Sequence, residues 1–188
     1  MPQVAGDTLP DLLCDGLDVV FVGINPSLFS VAQGHYFARK ANRFWPCFSR
    51  SVLSLGVRRA LGVDRLEPIH DQLLPAHGIG FTDVVKRPTA KAVELGRDEF
   101  AVGAAALLTK LERHQPRVAC FHGMMGYRPF AAAFGSGEPG LALGVQALRL
   151  GRTQVFVVPN PSGANAHFTP AQQTEWYDRL AAQLRVPV

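Results

Sequence analysis

The chain has 188 residues, a mass of 20.4 kDa and a formal net charge of +4, a size that suits one domain. Hydrophobic residues make up 47% and charged residues 18%, which excludes a chain dominated by disorder. The charge is uneven: residues 1–38 contain no Lys or Arg and carry −4, while residues 39–188 carry +8, and 15 of the 19 cations are Arg.

In chain order, Asp18-Val19-Val20-Phe21-Val22-Gly23-Ile24 is β-branched and aromatic and reads as a buried strand. Residues 42–55 place Phe44, Trp45, Phe48, Val52 and Leu55 at helical spacing, with Phe44 and Trp45 as core residues. Gly80-Phe81-Thr82-Asp83-Val84-Val85 is a second strand, and Asp98 to His114 is a helix. Arg117 to Gly123 is a third strand, followed by a helix from Met124 to Phe134 that Gly135 ends. Residues 136–151 are Gly-rich and read as a loop or a short hairpin. Gln154-Val155-Phe156-Val157-Val158 is the fourth strand. Thr169 is a natural N-cap and Pro170 a first helical residue for a helix reaching Leu184. Continuous apolar strands alternating with helices predict an α/β domain, a three-layer α/β/α sandwich with a mostly parallel central sheet. It is expected to occupy residues 1–188, with an N-terminal extension at 1–16.

Cys14, Cys47 and Cys120 are widely spaced and odd in number, so a disulfide framework or a Cys-based metal site is not supported, and no metal or other cofactor is expected. No signal-peptide pattern and no apolar run of membrane length is present, so a cytoplasmic monomer without membrane contact is expected.

The first strand runs into Gly23-Ile24-Asn25-Pro26-Ser27, and the fourth into Pro159-Asn160-Pro161-Ser162-Gly163. Asn-Pro-Ser also makes simple tight turns. Two copies leaving strand carboxyl ends favour a ligand site, because those ends share one edge of a parallel sheet. After the first loop, residues 35–45 interleave His35, Tyr36, Phe37, Phe44 and Trp45 with Arg39, Lys40 and Arg43. Such a surface stacks bases and holds phosphates. Asp83 leaves the second strand toward the same edge, beside Lys86 and Arg87, which would keep a carboxylate ionised. It is a candidate to polarise a water, the alternatives being a turn cap or a pair with Arg87. His122, at a strand end without a ligand cluster, reads as structural.

The set Gly23-Ile24-Asn25-Pro26-Ser27, Phe37-Ala38, Asn42-Arg43-Phe44-Trp45, Asp83-Val84-Val85-Lys86-Arg87-Pro88-Thr89 and Asn160-Pro161-Ser162-Gly163 resembles the mismatch-specific uracil/thymine-DNA glycosylase family, the double-strand-specific branch of the uracil-DNA glycosylase superfamily. The resemblance runs from about Asp18 to the last helix, with the motifs in the family's order. It implies a uracil-DNA-glycosylase-like sandwich. The implied activity is hydrolysis of the N-glycosidic bond of uracil, and of thymine or damaged pyrimidines, in mismatched double-stranded DNA, leaving an abasic site. It implies that Asn25 positions the water, that Ile24 and Phe37 hold the flipped base, that Asn160 donates to base or water, and that Ser30 lines the pocket. The Asp83 role is not supplied by the resemblance, since the family varies there.

Arg39, Lys40, Arg43, Lys86, Arg87 and Lys91 are the expected phosphate contacts, although Arg43 also suits an internal anchor of its helix. In the second loop Ser162, Gly163, Ala164, Asn165 and His167 are expected to face DNA. The family often places a bulky wedge where this chain has Ala164, so either His167 or Phe168 reaches the stack or the wedge is weak. Phe168 also suits packing under the last helix. No Lys stands out for Schiff-base chemistry. The alternatives are a non-catalytic sensor of mispaired DNA and a small-molecule nucleoside hydrolase or esterase; the chain has no GxSxG motif.

Overall fold

Five apolar or β-branched segments build one sheet in the computed structural model, which describes residues 7–134 and 142–185. The strands are β1 (Val19–Gly23), β2 (Ile79–Asp83), β3 (Val118–His122), β4 (Gly144–Leu150) and β5 (Thr153–Val158). Their order is β2-β1-β3-β5-β4. All pairs are parallel except β4 with β5. Every residue of β1, β2, β3 and β5 is buried, as strands covered on both faces must be. β4 alternates buried and exposed residues at the sheet edge. It makes a hairpin with β5, the second of the two readings of the Gly-rich segment; the expected Gly135 stop lies outside the described residues.

The helices are α1 (Leu28–Gln33), α2 (Phe44–Arg50), α3 (Leu55–Leu61), α4 (Arg97–His114), α5 (Met124–Ala133) and α6 (Pro170–Leu184). Phe44, Trp45 and Phe48 of α2 and Tyr177 and Leu180 of α6 cover one face of the sheet, against Phe21, Phe81 and Phe156. Phe100, Ala104 and Leu107 of α4 and Tyr127 and Phe130 of α5 cover the other, against Val20, Val22 and Phe121. This is the expected α/β/α sandwich. Thr169 accepts a hydrogen bond from the Gln172 amide at 3.2 Å, and Pro170 opens α6, as its sequence pattern requires.

Three details depart from the sequence reading. The helix expected over 42–55 ends at Arg50, because Ser51 is extended and its hydroxyl donates to the Phe48 carbonyl at 2.7 Å. A 3₁₀ turn (Val52–Ser54) and α3 follow. A 3₁₀ segment over Pro68–His77 was not anticipated, its two prolines masking any helical period. The described part of the N-terminal extension packs onto the domain: Leu9 is buried, and Leu12 exchanges two backbone hydrogen bonds with Phe81, at 2.9 and 3.0 Å. That bridge caps part of the free edge of β2.

Phe44 is fully buried, 5.0 Å from Phe21, 4.6 Å from Phe37 and 5.8 Å from Tyr177 between ring centroids. Phe44→Ala is expected to cost about 3–5 kcal/mol in chemical denaturation, with circular dichroism as the readout.

Candidate active site

The carboxyl ends of β1, β2, β3 and β5 meet around one cavity of about 670 Å³, lined by Ile24, Asn25, Ser30, Phe37, Asp83, His122 and Asn160. Residues from four separated stretches of chain converge there because parallel strands end on the same edge of the sheet. All the residues expected to act on a base or a water line this cavity: Asn25, Asp83, Ile24, Ser30, Phe37 and Asn160.

Asn25 is held by its amide nitrogen. Nδ2 donates to the Arg87 carbonyl at 2.9 Å and to the Thr89 hydroxyl at 2.8 Å. Thr89 is buried and is pinned alongside the first Asn-Pro-Ser loop by backbone bonds to Pro26 and Leu28. With both amide hydrogens engaged, Asn25 presents only its Oδ1 to a ligand, as an acceptor. Thr89 is a positioning residue that residue-type reasoning missed; its place after Arg87-Pro88 in the quoted motif was the available signal.

Asp83 is 3% exposed and sits directly across from Gly23 in the β1–β2 register. A Cβ on Gly23 would lie 2.3 Å from Asp83 Oδ1, so the carboxylate occupies space that only glycine leaves open. Oδ2 has no hydrogen-bond partner; the Lys86 ammonium is 3.7 Å away. Burial pushes the Asp83 carboxyl up to about 7, against the opposing pull of Lys86. Neither alternative holds: Asp83 does not pair with Arg87, whose guanidinium binds Glu99 at 2.5 and 3.0 Å, and no cap bond to Asp83 is present among the described residues.

Phe37 adopts a left-handed backbone with φ of 53°, an unfavourable region for a bulky side chain. The surroundings hold it there. Asp71, itself buried, accepts from the Tyr36 amide at 2.8 Å and bonds His35 Nδ1 at 2.9 Å. The Phe37 ring stacks on Phe44, and His122 meets it edge-on at 5.1 Å. His122 is buried, shares a hydrogen bond of 3.1 Å with Tyr177, and stacks on Phe21. Burial drives its pKa down to about 3, so the imidazole is neutral under ordinary conditions. It packs against Phe37 and lines the cavity.

The second Asn-Pro-Ser loop is a turn closed by its own hydrogen bonds. Asn160 Oδ1 accepts from the Ser162 amide at 2.9 Å, and Asn165 Nδ2 donates to the Asn160 carbonyl at 2.9 Å. Asn160 Nδ2 has no partner among the described residues and remains available as a donor. Ser30 is buried, and its hydroxyl accepts from the Ala38 amide at 3.3 Å.

The cations divide into two groups. Arg39, Lys40 and Lys91 are exposed, and Arg39 and Lys91 stand at the cavity mouth. Three others have partners within the protein: Arg43 takes the internal-anchor alternative of the sequence reading, while Lys86 and the exposed Arg87 are ion-paired where phosphate contacts were expected. Arg43 donates to the carbonyls of Asn165 at 3.1 Å, Phe168 at 2.7 Å and Gly163 at 3.3 Å. Lys86 donates to Asp11 at 2.9 Å and to the Tyr36 hydroxyl at 3.2 Å. Arg87 is exposed and pairs with Glu99 while donating to the Glu94 carbonyl. Charge count alone cannot separate these groups, since each cation's partners come from distant segments. Gly163, Ala164 and His167 are exposed, and Ser162 and Asn165 are half-buried beside Arg43. Gly163 passes so close to the Ala41 carbonyl that a Cβ there would lie 2.4 Å from it.

Arg43 thus bolts the second loop to the start of α2. Arg43→Met is expected to speed amide exchange across residues 163–168 by about tenfold or more, through loss of charged hydrogen bonds, while exchange in β1 and β3 stays slow.

Among the described residues no three His, Cys, Asp or Glu side chains gather as a metal site, and no helix is long and apolar enough to cross a membrane. The family pattern that matches the chain is the Uracil DNA glycosylase superfamily, over residues 10–183. That span includes both Asn-Pro-Ser loops, Asp83 and all five strands. A cavity at the carboxyl edge of a parallel sheet, walled by an aromatic ring, two amides and a buried carboxylate, belongs to a chain that is a member of the Uracil DNA glycosylase superfamily, whose hydrolases act on uracil in DNA.

Proposed function

We propose that this protein is a monofunctional glycosylase that removes uracil, and with it thymine or damaged pyrimidines, from mismatched double-stranded DNA. The observation that carries the mechanism is the buried Asp83 carboxylate, whose Oδ2 has no hydrogen-bond partner, in the same cavity as Asn25, whose amide nitrogen is fully engaged.

A base inside a duplex is inaccessible, so the nucleotide is extruded into the cavity. The base lies against Phe37, the opposite face of which is already covered by Phe44. Asn160 Nδ2 donates to the base. Asn25 Oδ1 accepts a hydrogen bond from a water and orients it, and Asp83 takes that water's proton as its oxygen bonds to C1′ of the sugar. The C1′–N1 bond breaks, and its electron pair leaves with the base. An amide cannot take the proton, so the carboxylate completes what Asn25 begins. The neutral His122 adds no charge to this wall of the cavity.

Arg39, Lys40 and Lys91 are the phosphate contacts this reading retains, with salt-dependent affinity as the consequence. Ala164 is exposed and too small to fill the gap left by an extruded nucleotide, which supports relaxed dependence on the opposite base. Duplexes carrying G·U, A·U and G·T, with a single-stranded control, should be cleaved by alkali after incubation with the protein. Rates on G·U and A·U within about tenfold are expected, the scale of one missing apolar contact. Strict dependence on guanine would remove the weak-wedge reading, and binding without cleavage would favour a sensor of mispaired DNA.

Asp83→Asn is expected to slow single-turnover excision by about 10²–10⁴, with duplex affinity unchanged. A carboxyl raised to about 7 must lose its proton to act as base, so the rate should rise with pH through neutrality and level off above it. A flat profile from pH 5 to 9 in the wild type would remove Asp83 from the mechanism.

A further inference from the structure

The segment before β1 carries Asp11, which lies outside both Asn-Pro-Ser loops and does not line the cavity. It is held in place by its neighbours. The Leu12–Phe81 backbone bridge fixes the neighbouring residue, and the Thr82 hydroxyl donates to Asp11 Oδ1 at 2.7 Å. Asp11 collects two ammonium groups: Lys86 on Oδ1 at 2.9 Å and Lys110, from α4, on Oδ2 at 2.6 Å. Lys86 follows Asp83 by three residues and is within ion-pair range of it, yet it stops 3.7 Å from Oδ2, short of a hydrogen bond. The Tyr36 hydroxyl accepts a further hydrogen bond from Lys86 at 3.2 Å.

We infer that Asp11 is a positioning residue for the reaction: by drawing Lys86 onto itself, it keeps that ammonium from closing on Asp83 and so preserves Asp83 as a base. This rests on the reading of Asp83 as the group that takes the water's proton. A carboxylate in full contact with an ammonium is a poor base, because the ion pair stabilises the form that has already lost its proton. A carboxylate buried with no cation nearby holds its proton too firmly to act at neutral pH. Asp11 sets the intermediate condition.

The charged and titratable groups around Asp83 are few enough for a sign test. Lys86 lies on its own segment, Asp11 on the N-terminal segment and Lys110 on α4, with Tyr36 on the loop after α1. On the β1 side Asp83 meets Gly23, and Phe37 and the neutral His122 share the cavity. Lys86 and Lys110 favour the ionised Asp83, and Asp11 opposes it.

The test is a carbon-detected NMR titration of the Asp83 side-chain carboxyl in the wild-type protein, in Asp11→Asn and in Lys86→Met, with single-turnover pH profiles of the same proteins on a uracil-containing duplex. Asp11→Asn keeps the acceptor for Thr82 but loses the charge, so Lys86 moves onto Asp83 and the Asp83 midpoint falls by about one pH unit. Lys86→Met removes the cation, and the midpoint rises by a similar amount. In the Lys86→Met background the added Asp11→Asn moves the midpoint by much less than it does in the wild type, as an effect that runs through Lys86 requires; an equal fall in both backgrounds, which direct repulsion by Asp11 alone would give, overturns the inference. Midpoints that stay in place, or that move in the same direction in both variants, overturn the inference. Opposite shifts that the ascending limb of the pH profile fails to follow retain Asp11's hold on Lys86 and overturn the reading of Asp83 as the base.

Discussion

A single carboxylate held without a full partner in the interior is the constraint around which the site is organised. Asp83 ends β2 where the neighbouring strand offers Gly23 instead of a side chain, and the missing Cβ is the space its Oδ1 fills. Leaving a buried anion unpaired is costly, and the protein tolerates it by raising the carboxyl's proton affinity instead of neutralising it with Lys86. The Asp11–Lys86–Lys110 cluster supplies just enough positive charge nearby to keep the cost moderate. The N-terminal segment, first read as an extension, therefore belongs to the electrostatics of the site.

Rigidity elsewhere serves the same cavity. Asn25 is oriented by Thr89 and the Arg87 carbonyl, Phe37 is held in a left-handed backbone by the Asp71 contacts and by Phe44, and the Asn160 loop is fastened by Arg43. Each active group is thus fixed by a partner from a different part of the chain. Such pre-organisation suits a hydrolysis in which a single water must meet C1′ in one orientation. Of the six cations expected to grip phosphate, Arg43 is drawn on for this purpose, Lys86 is held by Asp11, and Arg87, still exposed, pairs with Glu99.

Much of this was legible from residue order. The four buried strands, the Thr169-capped last helix and the convergence of two Asn-Pro-Ser loops follow from local periodicity, capping and the geometry of parallel sheets, which short stretches of sequence express directly. The membership in the Uracil DNA glycosylase superfamily was visible in the same motifs. Other features were not legible. The break after Arg50 depends on a Ser51 hydroxyl turning back on its own helix, and Pro75 inside the 3₁₀ segment hides the helical character of residues 68–77. Thr89 closes a motif that assigns it no role and His122 belongs to no motif, and their places become readable only through their contacts with Asn25 and Phe37.

The amino-acid sequence by itself determined the layered α/β architecture, the superfamily and the amide, aromatic and carboxylate groups that reach the cavity, because hydrophobic period and turn chemistry are encoded within a few neighbouring residues. Only the tertiary structure decided what charge each group feels. Whether Lys86 neutralises Asp83 or Asp11, whether Arg43 faces solvent or three carbonyls, and whether His122 is charged all depend on burial and on partners up to 125 positions away. Electrostatic interactions in a low-dielectric interior are set by distance in space, and distance in space is what a linear sequence does not state.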